Sequence, residues 1–490
     1  MRILLVYPKW TGEYGIFGYF AKRSSAQPPI NLAILASLAE NLGHEVKIID
    51  GEVENLSIEE VLSQTAIFGP DIIGMGAHTP FFHVTTNYAK AFKKNFSKIP
   101  IVIGGPHITI LKESAFNKFF DYAFIGEADV TWPLFLKQYE KGEEISEIKG
   151  LMYRNRERIL FTGNAETVID IDALPIPARH LLKQDRYEIG TSQGIKKFTT
   201  IMSTRGCPFK CIFCNTSVLG SSIRKRKPRF VVDEIISVVS TFNIKHFVFL
   251  DETLTLNKEH ILEMCDMIMY EKLDITWEGN TRANLIDEEI VSSMAKAGLI
   301  RISFGFESAD ANIRKIMKKG VPLKAYEKAN KLTNKYNIET SNSCMIGMPG
   351  ETIDTIRSTL YYLRNSREIK QANLSIAIPY PGTQLYDMAK KGEHGLVLLS
   401  EDFSEYRRYG SAVMQVGDLT PKDLIRLQTL GMVSIFLAPW RIIPVYKKSG
   451  IIGLLLMMLR LIKCSKEIIL NKDGCIRFKK YKNKINVQLD

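Results

Sequence analysis

What the chain lacks narrows its class first. No apolar run in the last seventy residues exceeds about ten, far short of the roughly 20 that a helix needs to cross a bilayer. The opening M-R-I-L-L-V-Y-P has one basic residue and a short apolar run ending at Pro8, without the apolar core and cleavage site of an export signal. Cysteine is scarce, seven in 490 residues, and three of the seven are clustered. Without an export signal these read as metal ligands plus free thiols in a reducing compartment, so disulfides are not expected and a cytoplasmic location is. Histidine is scarcer relative to the other polar residues, eight in all and none before His44. Composition is 45% apolar and 24% charged, which excludes disordered and collagen-like chains.

The net charge of +12 is unevenly spread. The last fifty residues hold twelve Lys or Arg against the three acids Glu467, Asp473 and Asp490. Most of the excess therefore lies in the tail, and no nucleic-acid groove is expected through the main body.

A chain of this length is too long for a single core, which stops growing near roughly 250 to 300 residues. Residues 1–145 alternate strand-like runs (R-I-L-L-V-Y, H-E-V-K-I-I-D, D-I-I-G-M-G-A, I-P-I-V-I-G-G, Y-A-F-I-G-E) with helical stretches, which predicts an α/β, doubly wound parallel sheet. Ligands of such sheets lie beyond the carboxyl ends of the strands. The candidates there are Asp50, Gly76, Thr79, Gly104, Gly105, Gly126 and Glu127. Residues 146–192 read as a β-ribbon and a proline-containing linker, with the prolines in I-D-A-L-P-I-P-A-R suited to an extended connector. A second series of six βα units over 193–400 is too short to close an eight-stranded barrel and predicts an open, partial (β/α)6 barrel with its chemistry at the strand ends. Residues 401–490 read as a helical, basic extension.

Cys207, Cys211 and Cys214 stand in R-G-C-P-F-K-C-I-F-C, directly after the first strand of the second series. A structural zinc needs four ligands, and the next cysteine, Cys265, is far along the chain in an apparent helix with no histidine near the loop. A four-iron cluster normally takes four thiolates, so three leave one iron open to a small molecule. The competing reading is a zinc with a distant fourth ligand, or three ordinary buried thiols.

This C-x-x-x-C-x-x-C loop resembles the signature of the radical S-adenosylmethionine superfamily. The resemblance implies a [4Fe-4S] cluster on Cys207, Cys211 and Cys214, whose open iron chelates S-adenosyl-L-methionine and whose electron splits it to a deoxyadenosyl radical. It extends through D-E-T-L-T-L (Asp251, Glu252), T-R (Arg282), F-G-F-E-S (Glu307), M-I-G-M-P-G-E (Gly347 to Glu351) and P-Y-P-G-T at Pro379 to Thr383, which resemble the later cofactor-binding motifs of the same barrel. Arg282 and Glu307 read equally well as a barrel salt bridge. An oxygen-sensitive enzyme fed by an electron donor such as flavodoxin or ferredoxin is implied.

The first 145 residues resemble the cobalamin-binding domain, flavodoxin-like in fold, that precedes the barrel in one branch of that superfamily, among methylases and the anaerobic porphyrin cyclase. The Asp-x-His-x-x-Gly motif that supplies a cobalt-ligating histidine is absent. His78 and His107 sit at strand ends, where a lone histidine is more often solvated or bonded to backbone. The resemblance implies a methyltransferase acting on an unactivated carbon; a cyclase of the same branch and a non-catalytic sensor are the alternatives. The tail joins M-V-S-I-F-L-A-P-W and I-I-G-L-L-L-M-M-L to Lys447, Lys448, Arg460, Lys463, Lys466 and the basic run from Arg477. Apolar stretches with cationic flanks suggest peripheral contact with an anionic membrane and an apolar or lipid substrate, against packing of Leu454 to Leu461 on the barrel with solvated lysines.

Overall fold

A computed structural model of the chain describes residues 1–13, 26–215, 220–436, 438–443, 446, 450, 451, 455 and the strand backbone of 468–470 and 476–478. Residues 14–25 of the loop after the first strand, and Lys447, Lys448, Arg460, Lys463, Lys466 and 479–490 of the basic tail, lie outside the described residues. Two compact units divide the chain: Met1–Ile189 with Lys197–Pro208 and Asn215–Asp251, and Gly190–Lys196 with Phe209–Cys214 and Glu252–Asp490.

In the first unit, β1 (Arg2–Tyr7), β2 (Glu45–Asp50), β3 (Ile72–Gly76), β4 (Ile101–Gly104) and β5 (Tyr122–Phe124) pair in parallel in the order β2-β1-β3-β4-β5. Between them run α1 (Ile30–Glu40), α2 (Ile58–Phe68), α3 (Phe82–Asn95) and α4 (Pro106–Leu111), and α5 (Thr131–Lys141) follows β5. This is the flavodoxin-like order. The strands are apolar almost throughout because both faces are covered. Ile3, Leu5, Val46, Ile48 and Val102 pack with Leu32, Ala36, Trp132 and Phe135 of α1 and α5 on one face. Leu4, Val6, Ile49, Ile73 and Ile103 pack with Val61, Val84, Tyr88 and Phe92 of α2 and α3 on the other.

The β-ribbon expected here is formed by β6 (Leu151–Asn155) and β7 (Arg158–Phe161), and it extends this sheet antiparallel from β5, with Tyr122 opposite Tyr153. The reason is the period-two alternation of side chains: Leu151 enters one core and Met152 the other, so the edge of β5 gains a strand that fits both faces. A short ribbon, β8 (Glu188–Thr191) with β9 (Gly194–Lys197), follows.

The second sheet has six strands in chain order: β10 (Thr199–Ile201), β13 (His246–Phe249), β14 (Thr276–Thr281), β15 (Leu299–Glu307), β16 (Glu339–Ile346) and β17 (Gln371–Ile376). Its registers are parallel, as in Thr199↔Phe247 and Asn280↔Ser303. The two-residue strands β11 (Thr204–Arg205) and β12 (Arg224–Lys225) pair antiparallel beside the cysteine loop. The helices of this series are α6 (Pro228–Phe242), α7 (Lys258–Tyr270), α8 (Glu288–Lys296), α9 (Ala311–Ile316), α10 (Leu323–Lys335), α11 (Ile353–Asn365) and α12 (Gln384–Lys391). Asn257, Asp287, Asp310 and Thr352 cap four of them by accepting from backbone N–H groups of the first turn. Six strands with helical returns make the open barrel that the sequence predicts.

Beyond it, β18 (Leu396–Leu398) pairs with β19 (Met414–Val416), and α13 (Pro421–Phe436) packs on β17 through Gln428, whose amide donates to the Leu374 carbonyl. The C-terminal extension is not helical throughout, because β20 (Ile468–Leu470) and β21 (Ile476–Phe478) form an antiparallel ribbon. No helix among the described residues is long and apolar enough to cross a membrane.

Gly105 carries the most demanding backbone of the first sheet. It follows β4 with φ +102, and a Cβ there would stand 2.8 Å from the Ala77 carbonyl oxygen. Gly105→Ala is expected to cost about 1–3 kcal/mol, read as a lower urea midpoint. An unchanged midpoint would show that the turn relaxes without cost.

Candidate active site

The strand ends of the first sheet supply one group of candidates. Asp50 closes β2, and its carboxylate accepts from the backbone N–H groups of Glu52 and Val53, both at 3.0 Å, and from the Tyr187 hydroxyl at 2.7 Å. Burial pushes its carboxyl up to about 6, against the lowering effect of those three donors. Neighbouring Glu52 is also buried and accepts from the backbone N–H groups of Trp10 and Thr11. Asp50 and Glu52 thus hold the turn after β2 to the loop after β1.

Gly76 ends β3, and a Cβ added there would meet nothing within 4 Å. Gly104 ends β4, where a Cβ would reach only Phe124 at 3.9 Å. Thr79 is buried, with its hydroxyl 3.3 Å from Nδ1 of His107. His107 is also buried against Phe82, and desolvation lowers its pKa to about 4, so its imidazole is neutral at physiological pH. His78 is exposed. Open glycine backbone beside a neutral, buried imidazole suits a large, flat ligand that approaches the strand ends closely.

Gly126 and Glu127 follow β5, and here the side chain is engaged by the protein itself. Glu127 receives both terminal nitrogens of Arg224 at 2.6 Å, while Arg205 donates to Asp129 at 2.5 Å and stands 3.7 Å from Glu127. All four side chains are buried. Arg224 also donates to the Val168 carbonyl. Arg205 and Arg224 are opposite each other in β11 and β12, so the network clamps the strand that leads into Gly206 and Cys207.

Asp251 has no exposed surface. Its carboxylate accepts from the Ser203 backbone N–H at 3.1 Å, the Ser203 hydroxyl at 2.5 Å and the Thr204 hydroxyl at 2.7 Å. It therefore fixes the backbone just ahead of Arg205. Glu252, beside it, is exposed.

Cys211 is buried, Cys207 partly buried and Cys214 exposed. Among the described residues no three ligating side chains converge closely enough to hold a metal. In the first unit the Cys207 backbone N–H donates to the Gly220 carbonyl. In the second, Ile212 donates to the Met317 carbonyl and its own carbonyl accepts from Leu385. The Cys211 sulfur lies 3.8 Å from Nη1 of Arg282, which follows β14. An N–H donor aimed at sulfur is the environment of a thiolate ligand, and the donor set of three cysteines on one loop fits an iron-sulfur cluster.

Glu307, at the end of β15, pairs with Lys319 at 3.0 Å rather than with Arg282. Its backbone is left-handed, with φ +66, after a register shift in the β15–β16 pairing. Gly305 makes room for this pair, since a Cβ there would stand 2.5 Å from both Oε1 of Glu307 and Nζ of Lys319. Gly347 follows β16, and its N–H and that of Met348 donate to Oε2 of Glu351 at 2.6 and 3.0 Å. Oε1 of Glu351 is buried without a partner, and burial pushes the carboxyl up to about 8. Sequence reasoning missed Asp129, Arg205, Arg224, Phe209 and Lys319; the adjacency of Arg205 to Gly206-Cys207 was the one local signal.

The chain matches the family models of the Radical SAM superfamily over residues 201–363 and of the B12 binding domain over residues 18–136. It is 31% identical over 444 residues to an uncharacterized methyltransferase of Pyrococcus horikoshii, covering 90% of this chain and 93% of that protein. It is 27% identical to the anaerobic magnesium-protoporphyrin IX monomethyl ester cyclase of Cereibacter sphaeroides, covering 87% of this chain and 68% of the cyclase. In fold it resembles the radical S-adenosylmethionine methyltransferase TsrM from Kitasatospora setae, solved with cobalamin and a [4Fe-4S] cluster, with a TM-score of 0.68, 16% identity, and 89% and 88% of the two chains covered.

Two outcomes follow from the buried charges. Glu127→Leu alone is expected to cost about 3–5 kcal/mol by leaving Arg224 without its carboxylate, while the same change combined with Arg224→Met restores most of it, as measured in a double-mutant cycle of urea midpoints over Glu127→Leu, Arg224→Met and the pair. Additive single costs would refute the pairing. Glu351 has a folded pKa above its unfolded value, so its stabilising contribution is complete below about 4.5 and is lost as pH rises through about 8, by up to about 1.4 kcal/mol per pH unit. Glu351→Gln should flatten that part of the stability-pH curve, and an unaltered slope would show that Glu351 is ionised.

Proposed function

The chain belongs to the radical SAM superfamily, in the branch that carries a B12-binding domain ahead of the barrel, and on that premise we propose that it methylates an unactivated carbon. It is a radical SAM enzyme whose cofactors are a [4Fe-4S] cluster, S-adenosyl-L-methionine and cobalamin. The similarity to a methyltransferase along nine-tenths of the chain carries the proposal. When bound, the cluster supplies the electron that cleaves adenosylmethionine and cobalamin supplies the methyl group.

The protein's own residues bind, orient and exclude water. Cys207, Cys211 and Cys214 hold the cluster. Asp251 and the Arg205–Asp129 and Arg224–Glu127 pairs fix the backbone entering that loop. Glu307, held by Lys319, would offer a carboxylate to ribose hydroxyls, and the Gly347–Met348 backbone, held by Glu351, would let adenine approach. Glu252, exposed beside Asp251, is a candidate for the methionine amine. Gly76, Thr79, Gly104 and Gly105 would give the corrin a close-approach surface, with His107 bonded to Thr79. Asp50 and Glu127 support that surface through Tyr187 and Arg224.

An apolar or lipid acceptor, reached through peripheral membrane contact of the tail, belongs to the same proposal; Ile442, Ile443, Tyr446, Ile451 and Leu455 are exposed on the described part of that tail. Ring closure is the second reading, favoured by the similarity to the cyclase. An electron donor of the flavodoxin or ferredoxin kind completes the scheme.

Anaerobic reconstitution with iron, sulfide and hydroxocobalamin should give about four irons and one cobalamin per chain. Cys→Ala at 207, 211 or 214 should abolish adenosylmethionine cleavage, and product mass distinguishes an added methyl from ring closure. Retained cleavage in any of the three variants would sink the assignment, and iron binding without cobalamin would sink methylation.

A further inference from the structure

We propose that Arg282 is a hydrogen-bond donor to the cluster-ligating sulfur of Cys211 and raises the cluster's reduction potential, rather than being a ligand of adenosylmethionine. The inference rests on the reading that Cys207, Cys211 and Cys214 hold the cluster. It starts from an unbalanced charge. Arg282 is 7% exposed, and no carboxylate lies within ion-pair distance of it among the described residues. A guanidinium stays protonated in proteins, so it cannot escape burial by losing its proton. A buried cation without an anion is costly unless a partner is supplied.

The structure points to that partner. Three contacts fix the plane of the guanidinium: Nη2 donates to the Lys319 carbonyl, the group stacks on Phe209 at 3.6 Å from the ring centroid, and Nη1 faces the Cys211 sulfur at 3.8 Å. The first two are neutral, and the third is the one contact able to become a charge pair when the sulfur is a thiolate. Phe209 lies in the same cysteine loop, so loop and guanidinium orient each other. Lys319, which supplies the carbonyl, holds Glu307 through its ammonium. The nearby carboxylate is thereby committed elsewhere and does not neutralise Arg282.

Reduction adds negative charge to a cluster, and a cation with an N–H aimed at one of its sulfurs stabilises the reduced form more than the oxidised one. Removing Arg282 should therefore make reduction harder whether or not adenosylmethionine is present. A guanidinium that instead bound the adenosylmethionine carboxylate would alter the potential only with that molecule bound.

The test is an EPR-monitored redox titration of the full-length, anaerobically reconstituted chain, with and without adenosylmethionine, with iron per chain measured on each sample. Arg282→Ala is expected to shift the oxidised-to-reduced ratio at fixed potential about tenfold toward oxidised, a fall of about 59 mV in a one-electron midpoint, in the absence of adenosylmethionine. Arg282→Lys, which keeps the charge but loses the fork, and Phe209→Leu, which loses the stack, should fall between it and the unaltered protein. If Arg282→Ala fails to hold iron, these two variants decide. Midpoints that match the unaltered protein, or that move only after adenosylmethionine is added, overturn the inference and leave the cluster assignment standing. An unaltered chain that binds no iron overturns both.

Discussion

The backbone that enters the cysteine loop is held by buried charge. Arg205 and Arg224 face each other on two very short strands, and neither strand has enough backbone pairing to be stable by itself. Glu127 and Asp129 supply the missing order from the loop after β5. Asp251 adds three hydrogen bonds to the preceding two residues. Buried ion pairs gain little net stability over well-packed apolar residues, but losing one partner is expensive. Such a network therefore defines a geometry more than it adds stability, and the geometry it defines is the approach to Cys207.

A comparable logic holds a little farther along the same unit. Glu234 is buried between Arg179 and Arg226, and these two cations outweigh the effect of burial and keep its carboxyl below its ordinary range. Arg179 also donates to the Thr200 carbonyl, and the Arg226 backbone N–H donates to that of Ser203. Helix α6 is thus tied through ionised side chains to the strand from which the loop emerges. The glycines at the ends of β3 and β4 do the opposite work, because they keep side chains away from a surface that a cofactor must reach.

Much of this was legible in the sequence, for reasons that are local. The strands of the first sheet announce themselves as short apolar runs because both faces are buried, and the cysteine loop announces itself by spacing. The ribbon β6–β7, legible as a ribbon, shows where local reading stops. Leu151 and Met152 alternate correctly for a strand, but nothing in them says that the partner is β5. Side-chain partners were less legible still. Glu127 was singled out as a cofactor contact because it follows a strand in a glycine loop, and the structure engages it with Arg224, 97 residues away. Glu307 and Arg282 each acquired a partner, Lys319 and Cys211, that the pattern of either motif does not contain.

In the second unit several buried ionisable side chains have no ion-pair partner among the described residues, Glu351, Arg282, Arg314 and Arg441 among them. Glu351 is buried with two backbone donors, and burial raises its carboxyl enough that the neutral acid persists at physiological pH. It resolves the cost of burial by keeping its proton. A guanidinium has no such recourse. Of the two, the carboxyl is therefore self-sufficient and the guanidinium is not. A folded chain that keeps an arginine buried without a carboxylate, stacked on a loop phenylalanine and 3.8 Å from a loop sulfur, has left its counter-charge to be supplied by that sulfur. Arg314 and Arg441, also buried without a carboxylate, meet backbone carbonyls instead. Arg282 differs from them in facing a loop sulfur, and the thiolate, once bound to iron, would be the anion it meets.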